Sequence, residues 1–189
     1  MLEQDWLAPG IFTVEGVFSP RECAAAIARA EAVGFDDAPI SRAEGAVMDK
    51  RARDNRRVME DDPALADFLW ERIEPVAPGP IGERGPNGLN ERFRTYRYDP
   101  GHFFAPHRDG AYLRPNGERS YWTLMVYLND GFVGGETRFF LADHTFIDVV
   151  PRTGMALFFF HPEQHEGREV VEGRKYVLRT DVMYPALTS

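Results

Sequence analysis

Phe93-Arg94-Thr95-Tyr96-Arg97-Tyr98-Asp99 is the point at which this sequence changes period. From here on, aromatic and β-branched residues gather in short runs, at 93–99, 120–128, 137–141, 145–150, 155–160 and 175–184, separated by Gly, Pro, Asn and Asp. Six such runs in roughly 95 residues, with no helical pattern between them, predict an antiparallel sandwich or barrel. The triplet Phe158-Phe159-Phe160 suits a strand buried on both faces.

Upstream the pattern is helical. Ser19-Pro20-Arg21-Glu22 carries a capping residue, a proline at the first helical position and a glutamate that completes a capping box. Cys23, Ile27, Ala30 and Val33 follow at helical spacing, and Gly34 supplies a left-handed stop. A second helix is expected from Asp62-Pro63, with an apolar stripe of Leu65, Phe68, Leu69 and Ile73 and an end at Pro75. Residues 75–88 are dense in turn formers and read as a loop. The expected organisation is an α+β, β-rich chain, with a helical support region over 1–88 and a β domain over 89–185.

The 189 residues carry 22 basic and 30 acidic side chains, a net charge of −8, which counts against a general nucleic-acid binder. One cysteine, Cys23, rules out an internal disulfide and suits a reducing compartment. No apolar run is long enough for a membrane span, and Met1-Leu2-Glu3-Gln4-Asp5 lacks the order of a signal peptide. A cytoplasmic protein with no membrane partner is expected. Of two basic clusters, 50–57 and 91–97, the first is offset by Asp49, Asp54, Glu60, Asp61 and Asp62 and reads as solvated surface. Its Arg53–Arg57 part has a second reading, as a lid over a site mouth.

All five histidines, His102, His107, His144, His161 and His165, lie in the β-rich part. In His107-Arg108-Asp109, side chains at i and i+2 of an extended segment point to one face, so an imidazole and a carboxylate can converge on one ion. Two imidazoles and one carboxylate leave open metal positions, the arrangement of non-haem Fe(II) oxygenases. His-x-Asp alone also arises on surface turns, so the surroundings decide.

The stretch from Tyr98 through Asp99-Pro100-Gly101 to His107-Arg108-Asp109 resembles the metal-binding entry of the prolyl 4-hydroxylase-like family of 2-oxoglutarate- and Fe(II)-dependent dioxygenases. Thr123 to Asn129, Gly134-Gly135-Glu136-Thr137, Pro151 to Phe158, His165-Glu166-Gly167 and Gly173-Arg174-Lys175 resemble its later motifs in order and spacing. The resemblance covers about 90–184 and implies a double-stranded β-helix, or jelly roll, with supporting N-terminal helices. It also implies His107, Asp109 and His165 as ligands of Fe(2+), with His161 competing for the third place. The ten-residue interval from His165 to Lys175 favours His165. His161 is then a supporting histidine, and His102 and His144 are loop residues.

By the same resemblance Lys175 would anchor the far carboxylate of 2-oxoglutarate, with Arg179, on the same strand face, as its competitor. Tyr127 matches a tyrosine that helps hold the same carboxylate and Tyr98 a position lining the cosubstrate or substrate side, with ordinary β-core packing as the other reading of both. The implied reaction decarboxylates 2-oxoglutarate to succinate with dioxygen and hydroxylates a substrate C–H bond, and ascorbate is an implied accessory. A peptide or small molecule is the expected substrate, with peptidyl proline or an amino acid first and no nucleic acid. Arg108, Arg114, Arg119 and Arg138 could instead form an anion-binding rim. A cupin-like metalloenzyme without 2-oxoglutarate and a non-catalytic jelly-roll module are the alternatives.

Overall fold

Lys175–Tyr184 is the spine of the larger sheet. Its alternation is complete. Lys175, Val177 and Arg179 point to an inner cavity, while Tyr176, Leu178, Val182 and Tyr184 join a core on the opposite face. The computed structural model describes residues 1–38, 40–42, 45–47 and 49–186. In it, Lys175–Tyr184 pairs antiparallel with Arg119–Tyr127 on one side and Arg92–Tyr98 on the other. Ala156–Phe160, Ile11–Val14 and Asp5–Ala8 extend one edge; Arg56–Asp61 and Asp36–Asp37 extend the other.

A second sheet runs Phe146–Val149, Thr137–Phe140, His165–Gly167, Phe103–His107 and Arg53–Asp54. Ile11, Tyr127, Leu157, Phe159 and Val177 of the larger sheet pack in one cluster with Phe139 and Val149 of the smaller. Two antiparallel sheets thus face each other, as in a jelly roll. Phe159 faces the smaller sheet and Phe158 the helical side, so this strand is buried on both faces as its sequence indicated.

The helices cover the outer face of the larger sheet. Pro20–Val33 starts with Ser19 and Glu22 in a reciprocal capping box and stops at Gly34, whose φ is 93°. Pro63–Ile73 is capped by Asp62 on the Leu65 amide, and a 3-10 turn, Glu74–Val76, follows it. Cys23, Ala66, Leu69 and Ile73 pack on Phe12, Leu124, Phe158 and Leu178. Glu22 and Arg72 tie the two helices through paired contacts at 2.8 and 3.0 Å. Two residues of the expected apolar stripes, Val33 and Phe68, are exposed instead.

The front of the chain is not only helical. Asp5–Ala8, Ile11–Val14 and Arg56–Asp61 are strands of the larger sheet, and the reading of the first third as helical missed them. Ile11–Val14 is buried at every position and so shows no alternation. Arg56–Asp61 is mostly polar and is fixed by six antiparallel pairings with Arg92–Tyr98. Strands from both sides of residue 88 therefore share one sheet and one core.

Candidate active site

The smaller sheet brings the site together. Phe103–His107 and His165–Gly167 are antiparallel neighbours, with His107 directly opposite His165 and their ring centroids 4.2 Å apart. Asp109 lies just past the end of its strand. Its amide donates to the His161 carbonyl, and the Arg108 guanidinium donates to the Pro162 carbonyl. These two bonds turn the Asp109 side chain inward. The ligand atoms of His107, Asp109 and His165 lie within 4.8 Å of one another.

Each ligand candidate is oriented by a second contact. The Nδ1 atoms of His107 and His165 face the carbonyls of Ala105 and Glu163 at 2.9 and 3.0 Å. A carbonyl only accepts, so Nδ1 carries the proton and Nε2 keeps its lone pair for a metal. Asp109 Oδ2 accepts from Thr123 Oγ1 at 2.6 Å and pairs with Arg179 Nη2 at 3.0 Å. Its Oδ1 is left facing His107 Nε2 at 3.7 Å. Two nitrogen lone pairs and one carboxylate oxygen are thereby presented together, a donor set that fits Fe(II) with positions to spare.

The protonation states agree with that use. Burial, then the neighbouring His165, pushes the His107 imidazole down to about 3, and burial lowers His165 as well. Burial alone would raise Asp109, but the Arg179 guanidinium and the two histidines hold its carboxyl well below the usual range. All three side chains are in their metal-binding forms at neutral pH.

Lys175 lies in the same cavity, 2 % exposed, on the inner face of the spine strand. Its Nζ donates to the Gly135 carbonyl at 2.6 Å and stands 5.2 and 5.4 Å from the ring centres of Tyr98 and Tyr127. No ion pair joins it to a carboxylate among the described residues. Burial pushes its ammonium down to about 7, with only Glu136 opposing. A buried cation without an anion costs several kcal/mol, which is why its protonated form is disfavoured here. Arg179 is already engaged by Asp109 and, at 3.5 Å, by Asp181. Tyr98 lines the cavity, and the Tyr127 hydroxyl is bonded to Thr137 Oγ1 at 2.7 Å.

The remaining histidines stand outside the cluster. His161 is buried, with Nε2 3.8 Å from Asp181 and neither ring nitrogen hydrogen-bonded. His102 accepts from the Asp99 amide in a turn, and His144 occupies a turn with φ 65°. Of the arginines expected at a rim, Arg114 is held by Glu91 and Glu118, Arg138 by Asp148, and Arg119 lies over the Tyr121 ring. The 50–57 cluster is not plain solvated surface: Arg53 is buried, its guanidinium over Tyr96 at 4.6 Å and Phe104 at 4.4 Å. Lys50 and Arg56 of the same cluster are exposed and face Asp54 and Asp37, as a solvated face would. The sequence assigns Thr123 and Phe104 no site role of their own, and Arg53 stands only in the Arg53–Arg57 segment read as solvated surface or as a lid over a site mouth; its lining of the cavity beside His107 and Asp109 depends on the fold.

Residues 93–180 match the sequence pattern of the 2OG-Fe(II) oxygenase superfamily. Prolyl 4-hydroxylase 1 of Arabidopsis thaliana is 28% identical over 195 residues, covering 89% of this chain and 67% of that protein. Among solved structures, the viral collagen prolyl hydroxylase of Paramecium bursaria Chlorella virus-1 superposes with a TM-score of 0.62 at 20% identity, over 94% of this chain and 96% of that one. A prolyl-4-hydroxylase of Pseudomonas putida gives 0.64 at 23%, over 92% and 91% of the chains. A prolyl hydroxylase of Trichoplax adhaerens, solved with a peptide fragment, gives 0.69 at 15%, over 92% and 83%.

Proposed function

We propose that this chain is a member of the 2OG-Fe(II) oxygenase superfamily, whose sequence pattern its residues 93–180 match, and that its residues divide the work as follows. The enzyme is a 2-oxoglutarate-dependent dioxygenase that couples decarboxylation of 2-oxoglutarate to hydroxylation of a C–H bond. His107, Asp109 and His165 would hold Fe(II) through Nε2, Oδ1 and Nε2. Bound there, iron and 2-oxoglutarate supply the oxidising power: dioxygen is consumed, the cosubstrate becomes succinate and CO2, and C–H becomes C–OH.

The protein's part is placement. Lys175 Nζ would receive the far carboxylate of 2-oxoglutarate, with Tyr98 lining the cavity beside it and Tyr127 packed behind in the core. Thr123 and Arg179 keep one Asp109 oxygen occupied so that the other faces the metal. The observation that carries this reading is the fully buried Lys175 without a carboxylate partner, in one cavity with the three ligand candidates. A cupin-like enzyme using the metal alone has no use for that cation.

For the substrate we favour a peptidyl or free proline, supported by the likeness to prolyl hydroxylases. Ascorbate as accessory reductant and a cytoplasmic setting belong to the same reading; among the described residues no helix is long and apolar enough to cross a membrane. Succinate formation against proline peptides, free amino acids and methylated oligonucleotides tests the substrate class. Turnover coupled only to oligonucleotides would remove the proline reading and leave the oxygenase assignment standing. Titration of Lys175→Ala with 2-oxoglutarate tests the anchor: loss of one partner of a buried charge pair costs ~3–5 kcal/mol, so affinity should fall by orders of magnitude. An unchanged affinity there, with a large loss in Arg179→Ala, would transfer the role to Arg179.

A further inference from the structure

Beside His107 and Asp109 a second cavity of about 700 Å3 opens, and five arginines reach it: Arg53, Arg57, Arg94, Arg108 and Arg179. Asp109 is the one carboxylate among its described lining residues. Lys175 lines the inner cavity but not this one. Three of the five cations are engaged by a carboxylate or a carbonyl, and the other two, Arg53 and Arg57, meet the Tyr96 phenol. Arg179 pairs with Asp109 and Asp181, Arg94 with Asp181, and Arg108 donates to the Pro162 carbonyl.

Arg53 and Arg57 have no ion pair with any carboxylate among the described residues. Arg53 is 6 % exposed; its Nε donates to Asn55 Oδ1 at 2.8 Å, and its Nη2 has no partner. Phe104 carries the Arg53 guanidinium at 4.4 Å and itself stacks on the His107 ring at 3.5 Å. One aromatic ring therefore links this cation to a metal-ligand candidate. A guanidinium held by stacking, with a free donor edge, matches a planar anion, and a carboxylate fits it in two-point fashion.

We propose that the substrate hydroxylated at this site carries a carboxylate, received by Arg53 and Arg57 beside Phe104, a few bonds from the carbon that is oxidised. The proposal rests on the oxygenase reading of the adjoining cavity. A small amino-acid-like acid and an acidic residue in a peptide share this chemistry, and the test separates them.

Protein loaded with Mn(II) is first titrated with 2-oxoglutarate by calorimetry under nitrogen; failure at this step speaks against the oxygenase reading alone. The saturated complex is then titrated with two matched pairs: N-acetyl-L-proline against its amide, and N-acetyl-prolyl-glutamate amide against the glutamine equivalent. The acid of at least one pair should bind about tenfold or more tighter than its neutral partner, the difference made by a charge-assisted two-point contact. Preference for the first acid assigns a small or terminal carboxylate; preference for the second assigns an acidic peptide. Arg57→Gln, and Arg53→Lys as a variant that keeps the charge but not the fork, should reduce that advantage to about twofold or less, with an unchanged Tm as the check on folding. Neutral partners binding as well as the acids in both pairs, an advantage that survives both substitutions, or no binding by either acid at millimolar concentration overturns the proposal.

Discussion

At the scale of single residues, the Lys175 environment makes a pH dependence. Burial lowers its ammonium from 10.5 to about 7. Well below that pH the cation is already charged and 2-oxoglutarate binds without proton exchange. Above it, binding a carboxylate must first draw a proton from solvent, so apparent affinity should fall about tenfold per pH unit. Calorimetry at pH 6.5 and 8.5, in buffers of different ionisation enthalpy, should show uptake of nearly one proton at the higher pH and of about a quarter at the lower. The ligand-free protein follows the opposite course. Between 7 and 10.5 the unfolded chain holds a proton that folded Lys175 lacks, so stability rises with pH across that window, and Lys175→Met removes the rise. Arg179 makes a different prediction: Arg179→Ala leaves Thr123 as the one side-chain donor to Asp109 Oδ2 among the described residues and should weaken metal binding about 10–100-fold, read by equilibrium dialysis with Mn(II). Unchanged metal affinity in that variant would show that Thr123 orients Asp109 unaided.

Elements meet through glycines at two places where a side chain has no room. Gly134, at φ 76°, pairs with Val170, and a methyl group there would run into the Glu169 carbonyl. Gly154, at φ 81°, brings its own carbonyl to the Phe18 amide, and a methyl would strike the Phe18 carbonyl. The left-handed backbone alone costs an alanine about 1–2 kcal/mol, and a backbone clash adds to it. Gly154→Ala should therefore lose at least about 2 kcal/mol in denaturant unfolding. Gly134→Ala should also weaken 2-oxoglutarate binding, because the adjoining Gly135 carbonyl holds Lys175. A Gly154→Ala protein as stable as the parent would show that the turn relaxes around the methyl.

For the whole molecule, the larger sheet draws strands from both ends of the sequence. Ile11–Val14 covers Ala156–Phe160, and Arg56–Asp61 covers Arg92–Tyr98. Removing 1–88 would bare both strands along their edges and uncover Phe158, Leu124 and Leu178 on the helical face. A chain of 89–185 alone should show no cooperative unfolding transition and should aggregate through its open edges. A sharp thermal transition from that fragment would mean that the β-rich part holds its own core.

Local rules sufficed wherever a few adjacent residues determine the outcome. The Ser19–Glu22 capping box, the glycine stop at Gly34 and the strand of alternating residues at 175–184 follow from spacing in the sequence, whereas Asp109, past the end of the His107 strand, is turned in by the remote His161 and Pro162 carbonyls. The resemblance supplied His165 and Lys175, which lie on strands remote in sequence from His107. What needed the fold was every fact that depends on which strands become neighbours: His107 opposite His165, the Thr123 and Arg179 contacts on Asp109, and the burial of Arg53 on Phe104. Whether Lys175 or Arg179 has a spare charge was likewise open in the sequence. The two share a strand face, and only the approach of Asp109 and Asp181 from other elements occupies Arg179 and leaves Lys175 without an anion. Charge in a buried site belongs to the set of groups that pack around it, and that set is fixed by long-range pairing rather than by any local run of residues.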